Sequence, residues 1–550
     1  MKRVAIILFT TLSSFIILQS AKDIRHETKY TRLDSLRGSI TPERVWWDLT
    51  YYHLSVSVDP STKTLVGSNR VDYKVLSENQ IIQIDLQAPL QLHSASQNGE
   101  NLEITKEGPA HFIKLKKKQE IGAVNSLLLN YSGQPVEAEN APWDGGITWT
   151  KDKNGKDFIA SSCQGDGASL WWPCKDHMYD EVDSMLMSIT VPEHLMNVSN
   201  GRYRGTDEND DGTKTFHWFV NNPINNYGVN INIGDYVHFK ESYTGEKGSL
   251  SMDYYVLRDN LKRARKQFKD APRTMEALEH WFGPYPFYED GYKLVEVPYL
   301  GMEHQSSVTY GNGYQNGYRG TDLSGTGWGL KWDYIIIHET GHEWFANNIT
   351  YKDMADMWLH ESFTTYSEGL FTEYFYGKDA GAEYIRGLRT GIDNTENIIA
   401  DYDVNAHGSG DMYPKGANLL HTIRQVVNDD EKWRGVLRGL NQTFYHQTVT
   451  TKQIEEYISE KTGRNFQYVF DQYLRDNSLP VLEYIIQEDK VQYRWSGVVG
   501  GFDLPLKVFL NEAETWIEPT TNWQSTSAKN TTSFKIDSNF YVSILNVMGS

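Results

Sequence analysis

The segment His338-Glu339-Thr340-Gly341-His342, separated by eighteen residues from Glu361, constrains this chain more than any other feature. Positions i and i+4 of a helix lie one above the other on the same face, so a helix here presents two imidazoles to a single point. Glu339 falls about 100° further round, close enough to reach a water at that point without joining the histidines as a ligand. Two histidines and a carboxylate from a following segment make three ligands for one zinc ion, and a fourth position left to water is the arrangement of catalytic sites. Glu361, in Trp358-Leu359-His360-Glu361, is the candidate third ligand. The flanks Ile335-Ile336-Ile337 and Trp344-Phe345-Ala346 predict a helix buried on most sides. Ionisable groups in so apolar a setting are costly unless paired or bound to metal. Gly341 lowers helix propensity by about 1 kcal/mol relative to alanine, and its missing side chain lets another group come close.

At 550 residues the chain is several domains long by the usual size of a domain. Its 53 basic and 72 acidic side chains leave a net charge of −19, with no long basic run, which argues against nucleic acid and anionic membrane surfaces as partners. Met1-Lys2-Arg3, the apolar stretch from Ala5 to Leu18 and the small-residue site Gln19-Ser20-Ala21 predict an export signal over residues 1–21. The expected location is therefore periplasmic or extracellular, with no membrane span once the signal is removed. The two cysteines, Cys163 and Cys174, are permitted to pair in that compartment but are too few for a zinc finger or iron–sulfur centre.

Residues 22–44 are polar, charged and aperiodic, and are expected to form a flexible leader. Strict alternation begins after Tyr51, with Leu54, Val56 and Val58 on one face and His53, Ser55 and Ser57 on the other. Further short strands are expected near Thr64–Val75, Gln80–Leu86, Asn125–Tyr131 and Met185–Val191, making residues 45–240 a β domain. Helical patterning governs residues 241–477, with a boundary at Pro272 and a stop at Gly283-Pro284-Tyr285-Pro286. The glycine-rich stretch Gly311 to Gly329 predicts a mobile or irregular loop and not a phosphate cradle. Alternation returns in residues 478–550 (Val481, Tyr484, Val491, Tyr493, Trp495), predicting a small β domain. The fold class is multidomain α+β, with a sandwich-like N-terminal β domain, a mainly helical domain carrying the metal motif, and a small C-terminal β domain.

Several segments resemble those of the zinc aminopeptidases of the aminopeptidase N and leukotriene hydrolase family. The metal motif has that family's eighteen-residue spacing, and Trp358-Leu359-His360-Glu361-Ser362-Phe363 is similar to its W-L-N-E-G-F signature. His280-Trp281-Phe282-Gly283-Pro284-Tyr285-Pro286-Phe287 resembles the segment before its substrate strand. Leu300-Gly301-Met302-Glu303-His304 is similar to its G-x-M-E-N exopeptidase motif, and Tyr413-x-Lys415-Gly416 to its catalytic tyrosine segment. Cys163-Gln164 matches the N-domain position that helps hold a substrate's free amine. The likeness implies a thermolysin-like catalytic domain. Leu300, His304 and His360 depart from the family's glycine, asparagine and asparagine, and the large C-terminal helical domain of many relatives has no counterpart in these residues.

The resemblance implies a zinc-dependent aminopeptidase acting on peptides with a free N-terminus. His338, His342 and Glu361 would hold one Zn²⁺. Glu339 would act as general base and then acid, and Tyr413 would donate to the oxyanion. Glu303 and Gln164 would grip the substrate's α-ammonium beside Gly301 and Met302. Two other readings stand beside it: a zinc metalloendopeptidase, which needs the metal but not Glu303 or Gln164, and a non-catalytic peptide-binding protein on the same scaffold.

Overall fold

Alternating burial builds the first sheet. In the strand Trp47–Asp59, Leu54, Val56 and Val58 are buried while the residues between them are half-buried or exposed. A computed structural model describes residues 29–487 and 489–548, and the expected export signal lies outside the described residues. Trp47–Asp59 lies near the middle of an eight-stranded sheet, parallel to Ser184–Pro192 on one side and antiparallel to Thr64–Val75 on the other. A four-stranded and a three-stranded sheet complete the N-terminal β domain. Cys163 and Cys174 are both buried there as free thiols.

The passage into the catalytic domain is made by a five-stranded sheet that runs, in spatial order, Tyr236–Gly245, Gly248–Leu257, Tyr292–Glu296, Val308–Tyr310 and Gly301–Met302. Its strand Tyr292–Glu296 is buried along its whole length and lies between two hydrophobic cores. Tyr292 and Leu294 join the core of the helical domain, whereas Val295, Val297, Tyr299 and Met302 join that of the N-terminal domain. Period-two alternation thus carries the chain between two domains and delivers the segment after it, Gly301 to Glu303, to their junction. Helices Leu261–Gln267 and Asp270–Phe282 precede it, the break falling just ahead of Pro272. The stretch from Gly311 to Gly329 is irregular up to Gly327 and ends in a single tight turn, Trp328–Lys331. The helical region closes with Gln467–Leu474, and two small sheets of four and three strands follow from Val481.

One expectation is corrected. Residues 29–44, read from their polarity as part of a flexible leader, carry the short helix Arg32–Gly38 and all but the last residue of a second, Pro42–Val45. Thr31 and Asp34 form a reciprocal capping box at the start of the first. Arg44 is fully buried; its guanidinium donates to the carbonyls of Leu36, Arg37 and Ser39 and pairs with Asp85 at 2.6 Å. Arg44, anchored in turn by the distant Asp85, orders a segment whose helix Arg32–Gly38 buries only Leu36.

Burial also sets a pH limit on this architecture. It lowers His177, His304 and His421 to about 3, so the folded protein keeps all three neutral. The unfolded chain takes up protons at these positions below about pH 6.5, whereas the folded chain refuses them until about pH 3. Their contribution is therefore fully present above about pH 6.5 and declines as pH falls below it. Each is worth about 1.4 kcal/mol per pH unit, together about 4. Urea unfolding at pH 7.5, 6 and 5 is expected to show a midpoint falling with acidity, and less steeply in His421→Asn; identical slopes would refute that histidine's part.

Candidate active site

The helix Tyr334–Gly341 begins where Asp333 caps it, accepting from the Ile335 amide. Asp333 is itself held by Tyr310, Asn312 and Gln267, so the helix start is fixed by a buried network. Thr340 bonds the Tyr292 hydroxyl at 2.7 Å, which ties the helix to the central strand. Gly341 faces the helix Trp358–Tyr376, where a Cβ would come within 2.7 Å of Ser367 Oγ. That close approach brings Glu361 to the histidines. Its Oε2 lies 3.6 Å from His338 Nε2 and 3.4 Å from His342 Nε2, and one ligand atom of each residue falls within 4.8 Å of the others.

The remaining atoms of these side chains are engaged in ways that aim them inward. His338 Nδ1 is 2.7 Å from Glu368, whose other oxygen accepts from Tyr384 at 2.6 Å. His342 Nδ1 contacts the Phe345 carbonyl and Thr364 Oγ1, each at 3.0 Å. Gln164, from the N-terminal domain, donates its amide to Glu361 Oε1 at 2.9 Å. Glu361 Oε2 is left buried without a hydrogen-bond donor, facing two imidazole nitrogens. Such an atom is expensive to bury unless a cation completes it, so the donor set of two imidazoles and a carboxylate fits a divalent metal. Burial alone would raise the Glu361 carboxyl, but the charges of His342 and His338 hold it well below the usual range.

Every site residue named from the sequence lines one cavity of about 490 Å³: Gln164, Gly301, Met302, Glu303, His338, Glu339, His342, Glu361 and Tyr413. Glu303, Glu339 and His342 form a second group with one ligand atom each within 4.8 Å of one another. Burial pushes the Glu339 carboxyl up to about 7 against the opposing charges of His338 and His342. Burial likewise raises Glu303, against the pull of His342. Glu303 Oε1 is buried and receives no hydrogen bond from the protein. Gly301 adopts φ +158°, and a Cβ there would meet Ile335 at 2.6 Å and the Thr309 carbonyl at 2.9 Å, so this backbone corner demands glycine. Tyr413 precedes the helix Pro414–Val427, whose Gly416 packs directly on Ser362. The tyrosine ring stacks on His338 with centroids 6.2 Å apart, and burial keeps its hydroxyl protonated far above ordinary pH.

The chain carries matches to the Peptidase family M1 domain over residues 267–473 and to the Peptidase M1 N-terminal domain over residues 49–227. The chain belongs to peptidase family M1. Similar proteins include leukotriene A-4 hydrolase of Xenopus laevis, 22% identical over 76% of this chain and 68% of that protein. Probable aminopeptidase 1 of Saccharolobus solfataricus is 22% identical over 60% of this chain, which spans 42% of that protein's length. Among solved structures, an M1 zinc metallopeptidase of Deinococcus radiodurans superposes with TM-score 0.63 at 21% identity, covering 76% of this chain and 91% of that one. A mutant of a Deinococcus radiodurans M1 enzyme bound to a Tyr-Ser-Ala substrate gives TM-score 0.65 at 20% identity, covering 79% and 96%.

Two departures from the family motifs have structural work in this M1 chain. His304 is fully buried, its Nδ1 3.3 Å from Thr309 Oγ1. His360 accepts from the Tyr351 amide at 2.9 Å and its ring lies 4.1 Å from the tyrosine ring. Sequence reasoning missed Glu368 and Tyr227. Glu368 had a signal: it stands seven residues, or two turns, after Glu361 and so shares its helix face. Tyr227, in the turn Asn226–Gly228 of the N-terminal domain, is buried, and the pKa of its hydroxyl is raised by burial and by the charge of Glu303; no local pattern marks it. Removing the carboxylate that orients His338, in Glu368→Ala, is expected to weaken zinc binding about 10- to 100-fold in a competition titration against a chromogenic chelator. Wild-type affinity in that variant would refute the orienting role.

Proposed function

We propose that this M1 chain is a zinc aminopeptidase that removes the first residue from peptides with a free N-terminus. The observation that carries the reading is the placement of Glu303, whose buried Oε1 receives no hydrogen bond from the protein, with a carboxylate oxygen within 4.8 Å of ligand atoms of Glu339 and His342. A carboxylate there meets an ammonium separated by one carbon from the carbonyl under attack. His338, His342 and Glu361 would hold Zn²⁺, which supplies Lewis acidity and lowers the pKa of water at the site.

The chain's own residues do the rest. Glu339, with a carboxyl titrating near neutrality, takes the proton of the attacking water and passes it to the leaving amine. Tyr413 presents a protonated hydroxyl to the developing oxyanion, an interaction worth about 10²–10³ in rate at comparable sites. Gln164 commits its amide nitrogen to Glu361, and its amide oxygen remains as an acceptor for the substrate ammonium. Gly301 and Met302 form the edge strand of the five-stranded sheet, whose free side suits an extended peptide added in β fashion. Export to the periplasm or cell exterior is part of the same proposal and rests on the N-terminal sequence alone.

Zinc-loaded protein is expected to hydrolyse leucyl-peptides and to leave their N-acetylated copies intact. Glu303→Ala is expected to lower kcat/KM on the free-amine peptide at least about 100-fold, because it removes one partner of a buried charge pair. Tyr413→Phe should lower kcat about 10²–10³-fold with little change in KM. Equal turnover of both peptides would favour a metalloendopeptidase; absence of turnover, with zinc bound, would favour a binding protein.

A further inference from the structure

The active-site cavity does not end at Met354. Beyond it lies a second, small cavity of about 40 Å³ that shares Gly165, Met354 and Asn405 with the first. Its far wall is formed by Arg37 and Gly38, at the end of the helix Arg32–Gly38. Three contacts hold this strap against the rim of the site. The Arg37 guanidinium donates to the Asp166 carbonyl, two residues beyond Gln164. His177 Nε2 donates to the Gly38 carbonyl at 3.0 Å. Gly38 packs so closely on the backbone of Val404 and Asn405 that a Cβ would overlap it. Asn405 in turn donates to the Gly165 carbonyl at 3.3 Å, joining the loop before Tyr413 to the loop that carries Gln164.

Building on the aminopeptidase reading, we infer that the strap Arg32–Gly38 closes the pocket for the substrate's first side chain and limits its size. Tyr227 lines the small cavity, and burial together with the charge of Glu303 keeps its hydroxyl protonated, so that cavity and the amine-holding carboxyl are neighbours. On this inference a side chain on the carbon whose amine is held by Glu303 and Gln164 runs past Met354, where the two cavities meet, towards Arg37 and Gly38. Met354, Met357, Met178, Tyr351 and Cys163 give that path apolar or soft walls that suit a flexible aliphatic or thioether chain, while His177 and Asn405 beside them are already engaged with Gly38 and Gly165. Asp176 also borders the small cavity, but it accepts from the amides of Ala168 and Ser169 and has Arg37 beside it. It offers no uncompensated charge to a lysine or arginine. The small cavity in front of the strap, about 40 Å³, has room for a methyl or two and not for an indole. The substrate class is thus peptides beginning with leucine or methionine, with tryptophan excluded by size and arginine by the cost of burying its charge.

The test uses the zinc-loaded full chain and fluorogenic leucyl, methionyl, arginyl and tryptophanyl amides. Wild type is expected to favour leucyl and methionyl over the other two by at least about 10-fold in kcat/KM. Gly38→Val forces the strap off the Val404–Asn405 backbone, and Arg37→Ala removes its bond to Asp166. Each is expected to raise the tryptophanyl-to-leucyl ratio, about 10-fold and about 3-fold respectively. Alkylation followed by mass spectrometry reports the displacement: Cys163, which lines the small cavity, becomes labelled while Cys174 stays protected. General unfolding of Gly38→Val would label both thiols, and Arg37→Ala then decides. Wild type that accepts tryptophan as well as leucine, a ratio unmoved while Cys163 is exposed, or Cys163 still protected in a folded variant overturns the inference. Failure of wild type on all four amides would sink the aminopeptidase reading instead.

Discussion

A single buried carboxylate oxygen, Glu361 Oε2, facing His338 Nε2 and His342 Nε2 without a donor of its own, is the constraint on which the rest depends. Burying that charge among apolar residues is costly, and a cation shared with two imidazoles is what offsets it. The surrounding structure keeps the three groups converged. Gly341 lets two helices touch, Glu368 and the Phe345 carbonyl fix the rings, and Gln164 holds the other oxygen of Glu361. Glycine positions that look like helix-breaking costs are where close approach is needed. Gly416 does for Tyr413 what Gly341 does for Glu361.

The site is a property of two domains and not of one. The zinc-type ligands and Glu339 come from two helices of the catalytic domain, while Gln164 and Tyr227 come from the N-terminal domain. The strand Tyr292–Glu296 makes this junction precise in register, because alternate residues anchor in different cores. Glu303 follows directly and is thereby set between the metal-type ligands and the N-terminal domain. A shift of one residue would exchange the two faces and move Glu303 out of reach.

Much of this was legible in the residues. The i, i+4 histidines, the downstream glutamate and the strand periodicities are local patterns, and the structure realises them with boundaries displaced by a residue or two. The strap was not legible, since Arg32–Gly38 buries a single apolar side chain, Leu36, and is held by Arg44 and by His177 from far along the chain. Nor was the state of Cys163 and Cys174, because spacing along the chain says nothing of the distance between thiols.

The sequence by itself determined which chemistry is available: two imidazoles, a general base, a third carboxylate and a tyrosine, each within a segment whose periodicity names its element. Only the tertiary structure decided which of them share one cavity, what orients each ring, and where that cavity ends. The reason is physical. Ligand spacing within a helix follows from 3.6 residues per turn, whereas the approach of Gln164, Tyr227 and Arg37 depends on packing between segments far apart in the chain.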